Sequence, residues 1–215
     1  MSKYNFSEKN MRLYAVTDRT WVGDKSLLWQ VEQALQGGVT CVQIREKDLD
    51  AEAFLAEATA MKELCDRYNV PLIINDNVEI AVKVGAAGVH VGQGDTPIDE
   101  VRRIAGDDII VGVSARTVEQ AKAAQAGGAD YLGVGAVFGT TTKLDARPIE
   151  RETLMAICDA VDIPIVAIGG VSKDNILQLK GTRVDGVAVV SAIFAAENIK
   201  GRCEELRSLT EEMVR

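Results

Sequence analysis

Gln43, Arg45 and Lys47 stand two residues apart in the run Gln43-Ile44-Arg45-Glu46-Lys47. While a backbone stays extended, alternate residues share one face, so an amide and two cations converge. Arginine offers a bidentate fork and lysine a mobile point charge, a set suited to a diphosphate. The bland alternative is a solvated loop in which Glu46 and Asp48 neutralise the cations. Asn75-Asp76 and His90-Val91-Gly92-Gln93-Gly94-Asp95 each place a carboxylate just beyond an apolar run. If those runs are neighbouring strands about 4.8 Å apart, Asp76 and Asp95 can meet over one Mg2+, leaving coordination positions for water and phosphate oxygens. Each Asp also stands where it could cap the segment that follows, Val78-Glu79-Ile80 or Thr96-Pro97. Beside the cationic run, the metal reading is preferred.

Four further stretches carry polar groups. Ser114, after Val113, either donates to a ligand or caps a helix starting near Thr117. Gly139-Thr140-Thr141-Thr142-Lys143 offers hydroxyls, backbone N–H groups and one cation, as a phosphate-closing loop would. Ile168-Gly169-Gly170-Val171 and Val190-Ser191 place glycines after one apolar run and a helix start after the next, the recurrent phosphate site of parallel barrels. The only histidine, His90, lies between two valines and reads as a packed strand residue without an acid–base partner. The four cysteines, Cys41, Cys65, Cys158 and Cys203, are scattered and read as packed or surface thiols, neither metal ligands nor nucleophiles.

These groups need a scaffold that brings segment ends together. Apolar, β-rich runs occur at 11–17, 40–44, 71–74, 88–91, 109–113, 131–134, 165–168 and 186–190, separated by helical patterns such as 27–36, 51–68, 118–126 and 151–160. The runs are continuously apolar, as in strands buried on both faces. A glycine echo precedes several strands: Gly37-Gly38, Gly85 and Gly127-Gly128, each the end of a helix. Eight strands alternating with helices in 215 residues make a single-domain (β/α)8 TIM barrel, 11–191, with a leader at 1–10 and closing helices over 192–215. A doubly wound sheet is the competitor, but Thr17-Asp18-Arg19 stands where its glycine-rich turn belongs.

Composition narrows the partners. Lys+Arg number 24 and Asp+Glu 32, a net charge of −8, which argues against nucleic acid or an anionic membrane surface. No run of about 18 apolar residues exists and the start lacks a signal peptide's apolar core, so a cytoplasmic protein is expected. Two anion sites with a metal at one of them imply two phosphorylated small molecules. With no redox centre or dinucleotide fingerprint, the natural chemistry is metal-assisted diphosphate departure and capture by a second substrate. Oligomeric state is left open, a homo-oligomer included.

Taken together and in order, Gln43–Lys47, Asn75-Asp76, Gly88–Asp95, Thr140–Lys143 and Ile168–Val171 resemble the thiamine phosphate synthase family, over nearly the whole stretch from Leu13 to Ser191. The resemblance implies coupling of 4-amino-2-methyl-5-hydroxymethylpyrimidine diphosphate to a thiazole phosphate, with or without a 2-carboxyl group, through a pyrimidine methylene cation. It implies that Gln43, Arg45, Lys47, Asn75 and Lys143 hold the pyrimidine diphosphate, within a binding run that includes Ile44 and Glu46, with Ser114 near the pyrimidine. Arg45, Ser114 and Lys143 become the catalytic set, and Asp76 and Asp95 the Mg2+ ligands. Thr140, Thr141, Thr142, Gly170, Val190 and Ser191 would hold the thiazole phosphate. Where the family often has prolines after the sixth strand, this chain has Ala136 and Gly139, which predicts a more mobile loop. Three rivals are a thiazole tautomerase of the same fold, a phosphosugar isomerase or epimerase barrel, and a non-catalytic sensor of a phosphorylated thiazole or thiamine phosphate. The first needs no diphosphate cluster, the second needs an acid–base pair, and the third needs no metal pair.

Overall fold

A computed structural model of the chain describes residues 6–139 and 147–215. Eight strands form one closed parallel barrel: β1 Leu13–Val16, β2 Cys41–Ile44, β3 Leu72–Asn75, β4 Gly88–Val91, β5 Ile110–Ala115, β6 Tyr131–Gly135, β7 Ile165–Ile168 and β8 Gly186–Val189. Each pairs with the next in sequence, and β8 returns to β1 through Tyr14 opposite Ala188. That closure excludes the doubly wound sheet. β1 is shorter than the apolar run from which it is read, because Met11 belongs to a 3-10 turn, Glu8–Met11.

Strand alternation sorts the apolar side chains into two shells. Outward residues such as Leu13, Val42, Ile44, Leu72, Val89 and Val113 are buried beneath the helices. Inward residues, among them Tyr14, Cys41, Ile73, Tyr131 and Val166, form a smaller interior cluster. Because both faces are covered, the strands read as continuous apolar runs.

The helices are α1 Leu27–Gln36, α2 Ala51–Arg67, α3 Val78–Val84, α4 Ile98–Ala105, α5 Val118–Ala126, α6 Arg151–Ala160, α7 Ser191–Phe194 and α8 Ile199–Met213. Side-chain caps fix most of their starts: Ser26, Asp50, Asn77, Thr117 and Asn198 each accept a backbone N–H of the first turn. Between β7 and β8 only a 3-10 turn, Ile176–Leu179, crosses over, which is how so short a chain completes eight units. Residues 6–11 close the N-terminal end of the barrel. Met11 is fully buried, and the Phe6 ring lies 5.6 Å from that of Tyr131. No helix among the described residues is long and apolar enough to cross a membrane.

Candidate active site

At the C-terminal ends of the strands a cavity of about 270 Å³ opens, lined by inward strand residues and by the turns that follow the strands. Inward alternation delivers Gln43 from β2, Asn75 from β3, His90 from β4 and Ser114 from β5. The turns after β7 and β8 add Gly169, Gly170, Val190 and Ser191. The register brings Gln43, Asn75, Ser114, Gly170, Val190 and Ser191 to one mouth, together with His90, which the sequence marked only as a packed strand residue.

The cationic run divides after Ile44, where the strand ends. Gln43 and Arg45 reach the cavity, and the Arg45 N–H is held by the buried Thr17 Oγ1 at 3.0 Å. Lys47 turns to the rim and binds Asp76 Oδ2 at 2.7 Å. Two members of the expected binding run point elsewhere. Ile44 is outward and fully buried in the helix-facing core, so only its main chain is near the mouth. Glu46, its side chain 2% exposed, does not neutralise Arg45 or Lys47 but pairs with Arg19 Nε at 2.8 Å. Arg19 also grips Glu57 at 2.6 Å. Burial, together with the neighbouring Glu57, pushes the Glu46 carboxyl above the usual range, while Arg19 pulls it back.

The capping alternative fails for both aspartates. Asn77 caps α3, α4 starts at Pro97 without a side-chain cap, and Asp95 Oδ2 accepts the Gly92 N–H at 2.7 Å within its own loop. Asp76 sits in the left-handed region at φ 61°, its N–H bonded to the His90 carbonyl at 2.9 Å. Burial raises its carboxyl above the ordinary range, and the neighbouring Asp95 raises it further against the pull of Lys47. Two neighbouring carboxylates are hard oxygen donors, which fit Mg2+ and not a soft metal, with most of its coordination left to water and phosphate. No group of three or more His, Cys, Asp or Glu side chains that could hold a metal occurs among the described residues.

On the opposite side, Gly169 and Gly170 have φ of 97° and 68°. A Cβ at Gly170 would lie 2.2 Å from the Gly139 carbonyl oxygen, so only glycine lets this turn pass the loop after β6. Asn175 Nδ2 holds the Gly170 carbonyl at 2.8 Å. Ser191 begins α7 as expected, although α7 is a single turn. Thr140, Thr141, Thr142 and Lys143 lie outside the described residues. On either side of them, the Arg116 guanidinium donates to the carbonyls of Gly135 and Arg147 at 3.2 and 2.6 Å.

Sequence reasoning left the cavity floor unread. Tyr14 and Tyr131, both buried, bond to each other through their hydroxyls at 2.8 Å. Gln43 Nε2 donates to Tyr14 at 2.8 Å, and His90 bridges Tyr131 and Ser114 at 3.0 Å each. His90 is barrel-facing, and burial lowers its pKa to about 4. The glycines opposite these rings were the available signal. A Cβ at Gly112 would strike the Tyr131 ring at 2.1 Å, and one at Gly133 would meet His90 Cε1 at 3.0 Å. All four cysteines are buried, and burial pushes the thiols of Cys65, Cys158 and Cys203 up to about 12, so none is poised as a nucleophile.

Residues 13–193 match the family model described as thiamine monophosphate synthase. The thiamine-phosphate synthase of Ruminiclostridium cellulolyticum is 52% identical over 200 residues, 93% of this chain and 95% of the relative. That of Clostridium tetani is 50% identical over 200 residues, 93% and 96% respectively. Among solved structures, a thiamine phosphate pyrophosphorylase from Pyrococcus furiosus superposes with a TM-score of 0.89 at 38% identity, covering 97% of this chain and 99% of that one. A 3-hexulose-6-phosphate synthase shares the fold alone, with a TM-score of 0.68 at 16% identity.

Proposed function

The chain belongs to the thiamine monophosphate synthase family, and from that premise we propose that it joins 4-amino-2-methyl-5-hydroxymethylpyrimidine diphosphate to 4-methyl-5-(2-hydroxyethyl)thiazole phosphate, forming thiamine phosphate and pyrophosphate. The observation that carries this reading is one mouth with two unlike ends. Gln43, Arg45, Asn75, Lys47 and the Asp76–Asp95 pair gather on one side, and the Gly169-Gly170 turn with Ser191 stands on the other.

In the reaction, the bond from the pyrimidine methylene carbon to the diphosphate oxygen breaks and its electron pair leaves with pyrophosphate. The ring amino group spreads the positive charge that remains. The thiazole nitrogen then supplies the pair for the new C–N bond. Arg45, Lys47 and Asn75 bind the diphosphate and take up its growing charge, and Lys143 joins them from the loop after β6. Asp76 and Asp95 would hold Mg2+, which when bound supplies neutralisation of the leaving group. Ser114 orients the pyrimidine, while the glycine turn, Val190-Ser191 and Thr140–Thr142 orient the thiazole phosphate so that its nitrogen faces the carbon. Little proton transfer is required, in keeping with a floor histidine held neutral by burial.

A tautomerase of the same fold would have no use for Lys47 and two carboxyls gathered beside Arg45. The test mixes the purified protein with both substrates and Mg2+, with EDTA as control, and measures thiamine phosphate and pyrophosphate. Metal-dependent appearance of both in equal amounts supports the proposal. Binding of the thiazole phosphate with neither product formed refutes it.

A further inference from the structure

A row of buried polar groups crosses the barrel beneath the mouth, and its two terminal residues, Gln43 and Ser114, both line the cavity. One direction uses every proton of the row. Gln43 Nε2 can only donate, so Tyr14 Oη accepts from it at 2.8 Å, and in that direction the Tyr14 proton goes to Tyr131 Oη, also at 2.8 Å. Tyr131 has then used a lone pair, and its own proton goes to His90 Nδ1 at 3.0 Å. A ring nitrogen that accepts carries no hydrogen, so the neutral imidazole has its proton on Nε2 and donates it to Ser114 Oγ at 3.0 Å. The Ser114 carbonyl is held as well, by Gln93 Nε2 at 2.7 Å. What the relay leaves unengaged is the Ser114 O–H, at the cavity wall. The chain also keeps glycine at 112 and 133, where a Cβ would press on the Tyr131 and His90 rings that carry the relay.

We propose that His90 is a positioning residue: fixed as the Nε2–H tautomer by the Gln43–Tyr14–Tyr131 relay, it occupies a lone pair of Ser114 Oγ and turns the serine O–H into the cavity as a donor. The group this donor fits is an acceptor. On the coupling reaction proposed above, upon which this identification rests, it is an unprotonated ring nitrogen of the aminopyrimidine. A free serine hydroxyl would rotate among its staggered positions and offer a proton or a lone pair indifferently. Tied to a donating imidazole, it cannot give its proton to the ring and is turned to give it to the cavity.

His90 is the only histidine of the chain, so histidine labelled with 15N gives a single imidazole whose two nitrogens report the tautomer directly. The unliganded full-length protein at neutral pH is expected to show an unprotonated Nδ1 and a protonated Nε2, and Tyr131→Phe to mix the two forms. In the coupling assay Tyr131→Phe is expected to raise the KM for the pyrimidine diphosphate about threefold to tenfold, the effect of one neutral hydrogen bond, with the KM for the thiazole phosphate unchanged. His90→Gln, which keeps an N–H near the Nε2 position, should recover most of that loss, and His90→Leu should not. A protonated Nδ1 in the wild-type protein overturns the proposal, because Ser114 would then donate into the ring. Equal changes in both KM values, or no advantage of His90→Gln over His90→Leu, overturn it too. The tautomer is read without substrate, so an Nε2–H ring in a protein that couples nothing upholds the relay's polarity and removes the coupling reading alone.

Discussion

Replacing Gly112 by alanine tests whether the barrel floor is as closely packed as its geometry implies. The new Cβ would lie 2.1 Å from Tyr131 Cζ and 2.3 Å from its hydroxyl, so the ring must move. It has nowhere to go. Tyr131 is fully buried, its ring lies between those of Phe6 and Tyr14 at 5.6 and 5.9 Å, and its hydroxyl is bonded on two sides. Overpacking of this kind costs about 1–3 kcal/mol. Displacing the hydroxyl also forfeits two hydrogen bonds worth about 1 kcal/mol each and strands their buried partners. A total of about 3–5 kcal/mol lowers the melting temperature of a chain this long by roughly 6–20 °C. Calorimetry on Gly112→Ala measures it, with Gly94→Ala as control, since a Cβ there meets nothing within 4 Å. In a Tyr131→Leu background the cost of Gly112→Ala should fall below about 1 kcal/mol, because the clash has gone. A melting point within about 2 °C of wild type, or an equal cost in both backgrounds, refutes the reasoning.

Three further outcomes follow from the same geometry. His90 has its folded pKa lowered from 6.5 to about 4, so its contribution to stability is complete above pH 6.5 and is lost as the pH falls from there toward 4. Over that window wild type should lose about 3 kcal/mol more than His90→Gln, measured by urea titration at successive pH values. Arg19→Ala leaves Glu46 buried without its partner. With the arginine side chain 41% exposed, the expected loss is about 1–3 kcal/mol, together with a raised KM for the pyrimidine diphosphate as the Arg45–Lys47 segment relaxes; an unchanged denaturation midpoint would contradict this. On the proposed Mg2+ site, Asp76→Asn should cut turnover at least a hundredfold, since it would remove one of the two carboxylate ligands. It should not lower the melting temperature, because burial and Asp95 already disfavour the charge and asparagine tolerates the left-handed backbone.

The barrel was legible because strands buried on both faces cannot hide their apolar character, and because caps such as Ser26, Asp50 and Thr117 punctuate the helices. The mouth was legible for a related reason: polar residues just after Ile44, Ile74, Val91 and Val113 have no helical duty to perform. Sequence spacing could not show that Asp76 leaves the capping role to Asn77, since adjacent residues both qualify as caps. Nor could it show that Glu46 turns back to Arg19, a partner 27 positions away on another strand's loop. Tyr14, His90 and Tyr131 were hidden most completely. Each sits inside an apolar run and satisfies its polar atom with another member of the set, so nothing local marks them.

Register is what ties the stability of this barrel to its site. In β2 the inward residues are Cys41 and Gln43 and the outward ones Val42 and Ile44; in β4 and β5 His90 and Ser114 alternate with Val89, Val91 and Val113. A slip of one residue would carry Gln43, His90 and Ser114 under the helices and put branched aliphatic side chains into the cavity. Each such polar group, stripped of its partner beneath a helix, would cost about 1–3 kcal/mol, and each aliphatic moved to the mouth would lose about 1.5–3 kcal/mol of burial. The outer shell never meets a ligand, yet it is the larger of the two clusters and favours one register over its neighbour. The positions of Arg45, Asp76 and Ser114 at the mouth are therefore held chiefly by aliphatic side chains on the far side of the sheet.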